Sequence, residues 1–380
     1  MQPTEDKKFA IIIVNSIAPY CYELNNILAL PDNFVYRFRF RKSKRGEWMP
    51  EIDNPKKLKD CDGLIVLREF QTTAQLIPIR KIRIIKVSVI GDVVYIEYKL
   101  REKVLFSSNP DQREAQLNKF NERITTDVRT NLYPNLPRAD LRNLVFFGAD
   151  YSYDFTDEGY QGDAEDEDSN RWGNIIELIG NIEIYKDIDF IKITELRDER
   201  GKLAIVQDEK TGAMFQLNNK TVYNLQFLQR TYTHLSGTSS VIRPRDIVMT
   251  PGSNEIDPII SRRSILGKYD LLQFSFRPES TSLLQKDSFI MLEFQDKENI
   301  LFLPGILVPI RIKPSVLEIG LVIASISIFI LAVIGYWFAT SIAPSGSEQS
   351  LRNILLPIMI LSGGGILRSI RDFILGRIIL

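Results

Sequence analysis

Residues 319–339, IGLVIASISIFILAVIGYWFA, are 21 consecutive positions without a charged side chain. As a helix this run is about 31 Å long at ~1.5 Å per residue, the thickness of a bilayer's hydrocarbon core. A core helix of that length in a water-soluble protein ordinarily keeps one polar face. The run therefore predicts a transmembrane helix, with Tyr336 and Trp337 at its interfacial end.

A second hydrophobic stretch, 351–367, follows a Pro/Gly/Ser-rich turn and is interrupted by Pro357, Gly363, Gly364 and Gly365. The tail 368–380 sets Arg368 and Arg371 among large aliphatics, a pattern suited to an amphipathic helix at a surface. Arg311 and Lys313 precede the first span, and the arginines of the tail follow the second stretch. By the positive-inside rule both flanks belong in the cytoplasm. Residues 316–380 are thus expected to form a transmembrane hairpin in the inner or plasma membrane, with the N-terminal domains and the C-terminus cytoplasmic. Three consecutive glycines weaken a helix by roughly 1 kcal/mol each and permit close helix contact. Gly363, Gly364, Gly365, Arg368 and Arg371 are the candidates for membrane activity on self-association.

The residue inventory excludes several chemistries. Two cysteines, Cys21 and Cys61, cannot build a disulfide framework. One histidine, His234, makes His-based metal sites and a Ser-His-Asp triad improbable. The chain has no Gly-rich phosphate loop, no Cys/His metal spacing and no nucleophile elbow. Neither a metal nor a cofactor is expected.

The formal charge is zero, 48 basic against 48 acidic residues, but it is unevenly spread. Residues 1–149 carry a net charge of +7 and residues 150–200 one of −11. Such asymmetry marks a domain junction or an interaction surface. The expected organisation is a basic α+β domain over 1–149, an acidic linker over 150–172 and a β-sandwich-like domain over 173–313. The soluble part reads as α+β to mainly β, a mixed or antiparallel sheet followed by a sandwich or barrel.

Local patterns support this reading. FAIIIV at 9–14 suits a strand buried on both faces. FVYRFRFR at 34–41 alternates aromatics with arginines, and 79–100 reads as a hairpin turning at Gly91-Asp92. Asn109-Pro110-Asp111 is a helix start, and Leu117, Phe120, Ile124, Val128 and Leu132 form one apolar stripe behind it. From Asn174 onward the signals are those of strands: 190–196, 202–207, 213–217, 241–249, 269–276, 288–294 and 300–312.

Two constellations carry chemistry. Asp92, Glu97 and Lys99 are an Asp and a Glu-x-Lys of the kind that holds Mg²⁺ in metal nucleases. Glu97 and Lys99 are equally the alternating polar positions of a half-exposed strand. Arg37, Arg39 and Arg41, extended by Arg80 and Arg83, could form an anion- or phosphate-binding face. The plainer reading is an edge strand kept from aggregating by its charges.

The architecture, β-rich cytoplasmic domains ending in a membrane hairpin, is similar to that of bacterial membrane-attached effectors in stress and anti-phage systems. That similarity implies a non-enzymatic sensing or recruitment protein whose hairpin perturbs the membrane on assembly. Its partners would be the lipid bilayer and either another protein or a second copy, with nucleic acid an open possibility. The alternatives are a passive membrane anchor for a partner-binding domain, and a membrane-bound metal nuclease.

Overall fold

The computed structural model describes residues 9–15, 21–41, 59–68, 75–127, 145–148, 155, 164–180, 189–208, 212–231, 245–265, 269–280, 285–296, 303–314, 316–341, 353–361 and 363–364. Val128, Leu132, His234, Gly365, Arg368, Arg371 and most of the acidic run fall outside them.

The first unit is one six-stranded sheet in the order β2-β5-β4-β3-β1-β6. Its strands are β1 (Phe9–Asn15), β2 (Val35–Arg41), β3 (Asp62–Arg68), β4 (Leu76–Ile90), β5 (Val93–Lys103) and β6 (Val145–Gly148). β1 pairs β3 in parallel, and the other pairings are antiparallel. The apolar run of β1 is buried from Phe9 to Val14. Its parallel neighbour approaches so closely that a Cβ on Gly63 would stand 2.2 Å from the Ala10 carbonyl oxygen. The β4–β5 hairpin turns at Gly91 with φ +59°.

Helix α1 (Cys21–Ala29) follows β1, and α2 (Pro110–Asp127) follows β5. The Asn109 carboxamide accepts from the amides of Asp111 at 2.9 Å and Gln112 at 3.3 Å, the cap expected from the sequence. Leu117, Phe120 and Ile124 bury the apolar stripe.

The acidic run ends inside a helix. Residues 164–168 open α3 (Ala164–Gly180), which continues through Asn174, where strand signals were expected. Trp172, Ile175, Ile176 and Ile179 of α3 are buried, and that helical spacing decides for helix over strand.

The second unit has two sheets. One is β12-β14-β10-β7, from β7 (Asp189–Asp198), β10 (Tyr223–Thr231), β12 (Ile256–Ile260) and β14 (Tyr269–Pro278). The other is β13-β11-β15-β16-β9-β8, from β8 (Ile205–Asp208), β9 (Gly212–Asn218), β11 (Arg245–Pro251), β13 (Arg262–Ile265), β15 (Lys286–Asp296) and β16 (Leu303–Lys313). Their inward residues share one continuous core with the first unit.

The expected membrane region is corrected by the structure. α4 (Val316–Ser341) is a helix of 26 residues, and helical residues 353–361 lie back against it. Gly335 approaches Leu355, and Gly363 approaches Phe329. Among the described residues, however, no helix is long and apolar enough to cross a membrane. The transmembrane hairpin, and with it the integral-membrane location, is therefore not supported.

A candidate anion-binding face on the first sheet

The site is built by strand register. Cross-strand partners share a face of a sheet, so the pairings place side chains in rows across β2, β5 and β4. Arg37 stands opposite Glu97, and Glu97 opposite Lys86. Val35 stands opposite Lys99, Lys99 opposite Arg83, and Arg83 opposite Asp62. Arg39 stands opposite Tyr95, and Tyr95 opposite Ser88. Five cations (Arg37, Arg39, Arg83, Lys86 and Lys99) thus share one face with two carboxylates, Glu97 and Asp62. The rows are about 4.8 Å apart across strands, and successive positions along a strand repeat at roughly 6.6 Å.

The other face explains this arrangement. Phe34 and Phe38 of the β2 segment are buried, as are Val94, Ile96, Tyr98 and Leu100 of β5. Alternation then sends the arginines outward, as the sequence pattern implies. Arg37 binds Glu97 at 2.5 Å, and its guanidinium carbon lies 5.8 Å from the centre of the Tyr95 ring. Arg83 reaches Asp62 at 3.5 Å, with both side chains more than a third exposed. Exposed pairs of this kind hold little energy and exchange partners readily.

The sequence candidates divide on this geometry. Arg37, Arg39 and Arg83 lie on the face, and Arg41 continues β2 with its side chain outside the described residues. Arg80 does not lie on it. It shares the parity of the buried Ile82 and Ile84, so alternation turns its side chain inward, where it is fully buried. There it donates to the carbonyl oxygens of Ile27, Leu30 (2.7 Å) and Arg101 (2.7 Å), and to Asp32 at 2.6 Å. Arg80 is the C-terminal cap of α1, not a ligand for an outside anion.

Asp92 lies in the hairpin turn, five positions before Glu97 on the same chain, or about 17 Å along an extended strand. Glu97 is held by Arg37 instead. No group of three or more metal-capable His, Cys, Asp or Glu side chains occurs among the described residues. Gly363 and Gly364 are helical, and Gly363 faces the Phe329 ring.

Sequence reasoning missed a second, buried polar set at the same sheet. Lys103, 1% exposed, binds Asp168 at 2.9 Å, and Lys192 of β7 binds the other Asp168 oxygen at 2.6 Å. Burial would raise the Asp168 carboxyl, but the two lysines overcome it and hold the group near about 2. Burial and the neighbouring Arg80 pull Lys103 down to about 8, against the attraction of Asp168. The described end of the acidic tract is therefore bound to β5 and β7, not laid over Arg37 and Arg39.

No family model matches the chain, and no curated protein matches it. Among solved structures, the VesB protease of Vibrio cholerae aligns at 7% identity with a TM-score of 0.19, covering 62% of this chain and 77% of that one. A likeness that slight carries no argument about fold or activity.

Proposed function

We propose that this protein is a non-enzymatic sensing or recruitment protein that binds a flexible, phosphate-bearing chain on the outer face of β2, β5 and β4. The observation that carries this reading is the row of five cations around Tyr95, spaced at strand intervals. Cations at about 5–7 Å suit the repeating phosphates of an extended strand, and an aromatic among them gives a base a stacking surface. The surplus belongs to a chain of zero net charge, so the attraction is local and steers a ligand to this face. The test is anisotropy titration of a labelled single-stranded oligonucleotide at low salt. Arg37→Glu with Lys99→Glu is expected to weaken binding at least tenfold. Equal binding by the double variant contradicts the reading, and binding to anionic vesicles alone assigns the face to another partner.

A second reading concerns α4. Ile323, Ile330, Leu331, Ile334, Trp337 and Phe338 are all exposed, and the neighbouring Ile360 and Leu361 add to them. Contiguous apolar surface of this kind marks an association site. A second copy fits it, since α4 has no charge beyond Glu318 to desolvate on closing. Light scattering against concentration is expected to show an oligomer that Leu331→Glu with Ile334→Glu dissociates. A monomer at every concentration, or one recovered only with vesicles, contradicts it.

A further inference from the structure

Helix α1 is buried on every side from Leu24 onward. From Leu24 to Leu30 no residue is more than 4% exposed, although two of them are Asn25 and Asn26. The helix packs on β1 and β4 of the first sheet and on β7 and β16 of the second unit. Asn26 accepts from the Leu307 amide at 2.6 Å, and Arg80 binds the last carbonyls of the helix from the opposite side. A helix that is polar in places and yet enclosed from Leu24 onward is a wedge between two bodies.

Its first turn carries Glu23. One carboxyl oxygen, Oε2, is buried without a hydrogen-bond partner among the described residues, and so is the hydroxyl of Tyr98 on the sheet beneath. The groups that act on Glu23 come from the sheet. Arg39 of β2 attracts its negative form, and the phenols of Tyr36 and Tyr98 feel its charge. β1 has no titratable side chain. Arg80 of β4 acts on Tyr98 and is held by Asp32. On β7, Asp189 accepts from Gln229, Lys192 is taken by Asp168, Glu195 by Arg197, and Asp198 by the turn amides of Arg200 and Lys202. On β16, Arg311 is taken by Asp287, while Lys313 stands beside Asn218 at the strand's end. Among the described residues, a bare carboxylate at this joint has one exposed arginine, Arg39, to answer it.

We infer that α1 is a proton-controlled wedge: with Glu23 neutral it seats between the two units, and ionisation of that carboxyl loosens the joint. Burial pushes the group up to about 7, with Arg39 opposing. The neutral form, which donates as well as accepts, therefore persists into the physiological range. A folded-state value above the unfolded one means that the contribution is complete at acid pH and declines as pH rises from about 4.5 to about 7. The device shares Arg39 with the anion-binding face and would couple the relation of the two units to pH.

Hydrogen exchange of the full chain at pH 6 and pH 8, corrected for intrinsic rates, tests this. The opening constant of the amides of 24–30 is expected to rise about tenfold between the two pH values, from the linkage between about 7 folded and 4.5 unfolded. Glu23→Gln, a neutral mimic of the protonated acid, is expected to abolish that rise, while amides of β10 and β14 stay flat in both proteins. A wild-type helix with equal protection at both pH values overturns the inference without recourse to a variant. An undiminished rise in Glu23→Gln overturns it as well.

Discussion

The side-chain oxygen of Asn26 accepts a 2.6 Å hydrogen bond from the amide of Leu307, 281 positions further along the chain. It joins the second element of the first unit to the last strand of the second. Beside it, the Ala213 amide donates to the Asn33 carbonyl at 2.7 Å, so the joint has backbone contacts too. Asn26→Ala leaves the Leu307 amide without this acceptor at the joint. A loss of about 1–3 kcal/mol in denaturant unfolding is expected.

Arg80 holds the end of α1 from the sheet side. Arg80→Met removes the guanidinium that binds Asp32 and strips the Ile27 and Leu30 carbonyls of their donor. Asp32, 42% exposed, is re-solvated, so the main loss is the buried carbonyls left unpaired, about 1–3 kcal/mol each. Lysine cannot reproduce the fork, so Arg80→Lys is expected to recover little of the thermal midpoint.

Gly212 sits at φ +82°, and a Cβ there would stand 2.6 Å from Val35 Cγ2 and 2.8 Å from the Asn33 carbonyl oxygen. Both the backbone and the close approach of β9 to the first unit exclude a side chain. Gly212→Ala is expected to lower stability by about 1–3 kcal/mol and to expose the joint to limited proteolysis. Gly201→Ala, at φ +79° with open space around it, carries only the backbone part of that cost and serves as the control.

Asp168 sets the acid limb. Its folded value of about 2 lies below the ordinary 3.8, so its contribution is present above about pH 4 and is lost as pH falls through about 2. The difference corresponds to about 2 kcal/mol for a group that is mostly buried. Asp168→Asn is expected to flatten the stability profile between pH 4 and pH 2, measured by chemical denaturation. An unaltered acid limb would assign it to other carboxylates.

Much of the fold was legible because short-range patterns govern it. The alternation at 34–41, the turn at Gly91 and the Asn109 cap are each fixed by neighbours within a few residues, and each stands in the structure as expected. β10 was missed although Tyr223, Leu225 and Phe227 alternate inward after the turn at 219–220. The start of α3 was hidden by its charge, since Asp168 gains its place only from Lys103 and Lys192 across the fold. Arg80 was misplaced although the period was readable: it has the parity of the buried Ile82 and Ile84, not that of Arg83. The run at 319–339 did locate a helix, but its apolar length suggested a crossing that the described helices do not support.

The most direct test of the anion-binding reading is the salt dependence of oligonucleotide affinity. Each phosphate contact contributes about −0.7 to the slope of log K against log salt for a single strand. Three or four contacts on the face give an expected slope of about −2 to −3, reduced by about 0.7 in Lys86→Ala and by more in Arg37→Glu with Lys99→Glu. An affinity that ignores salt, or a slope that these substitutions leave unchanged, would contradict the assignment of the β2, β5 and β4 face.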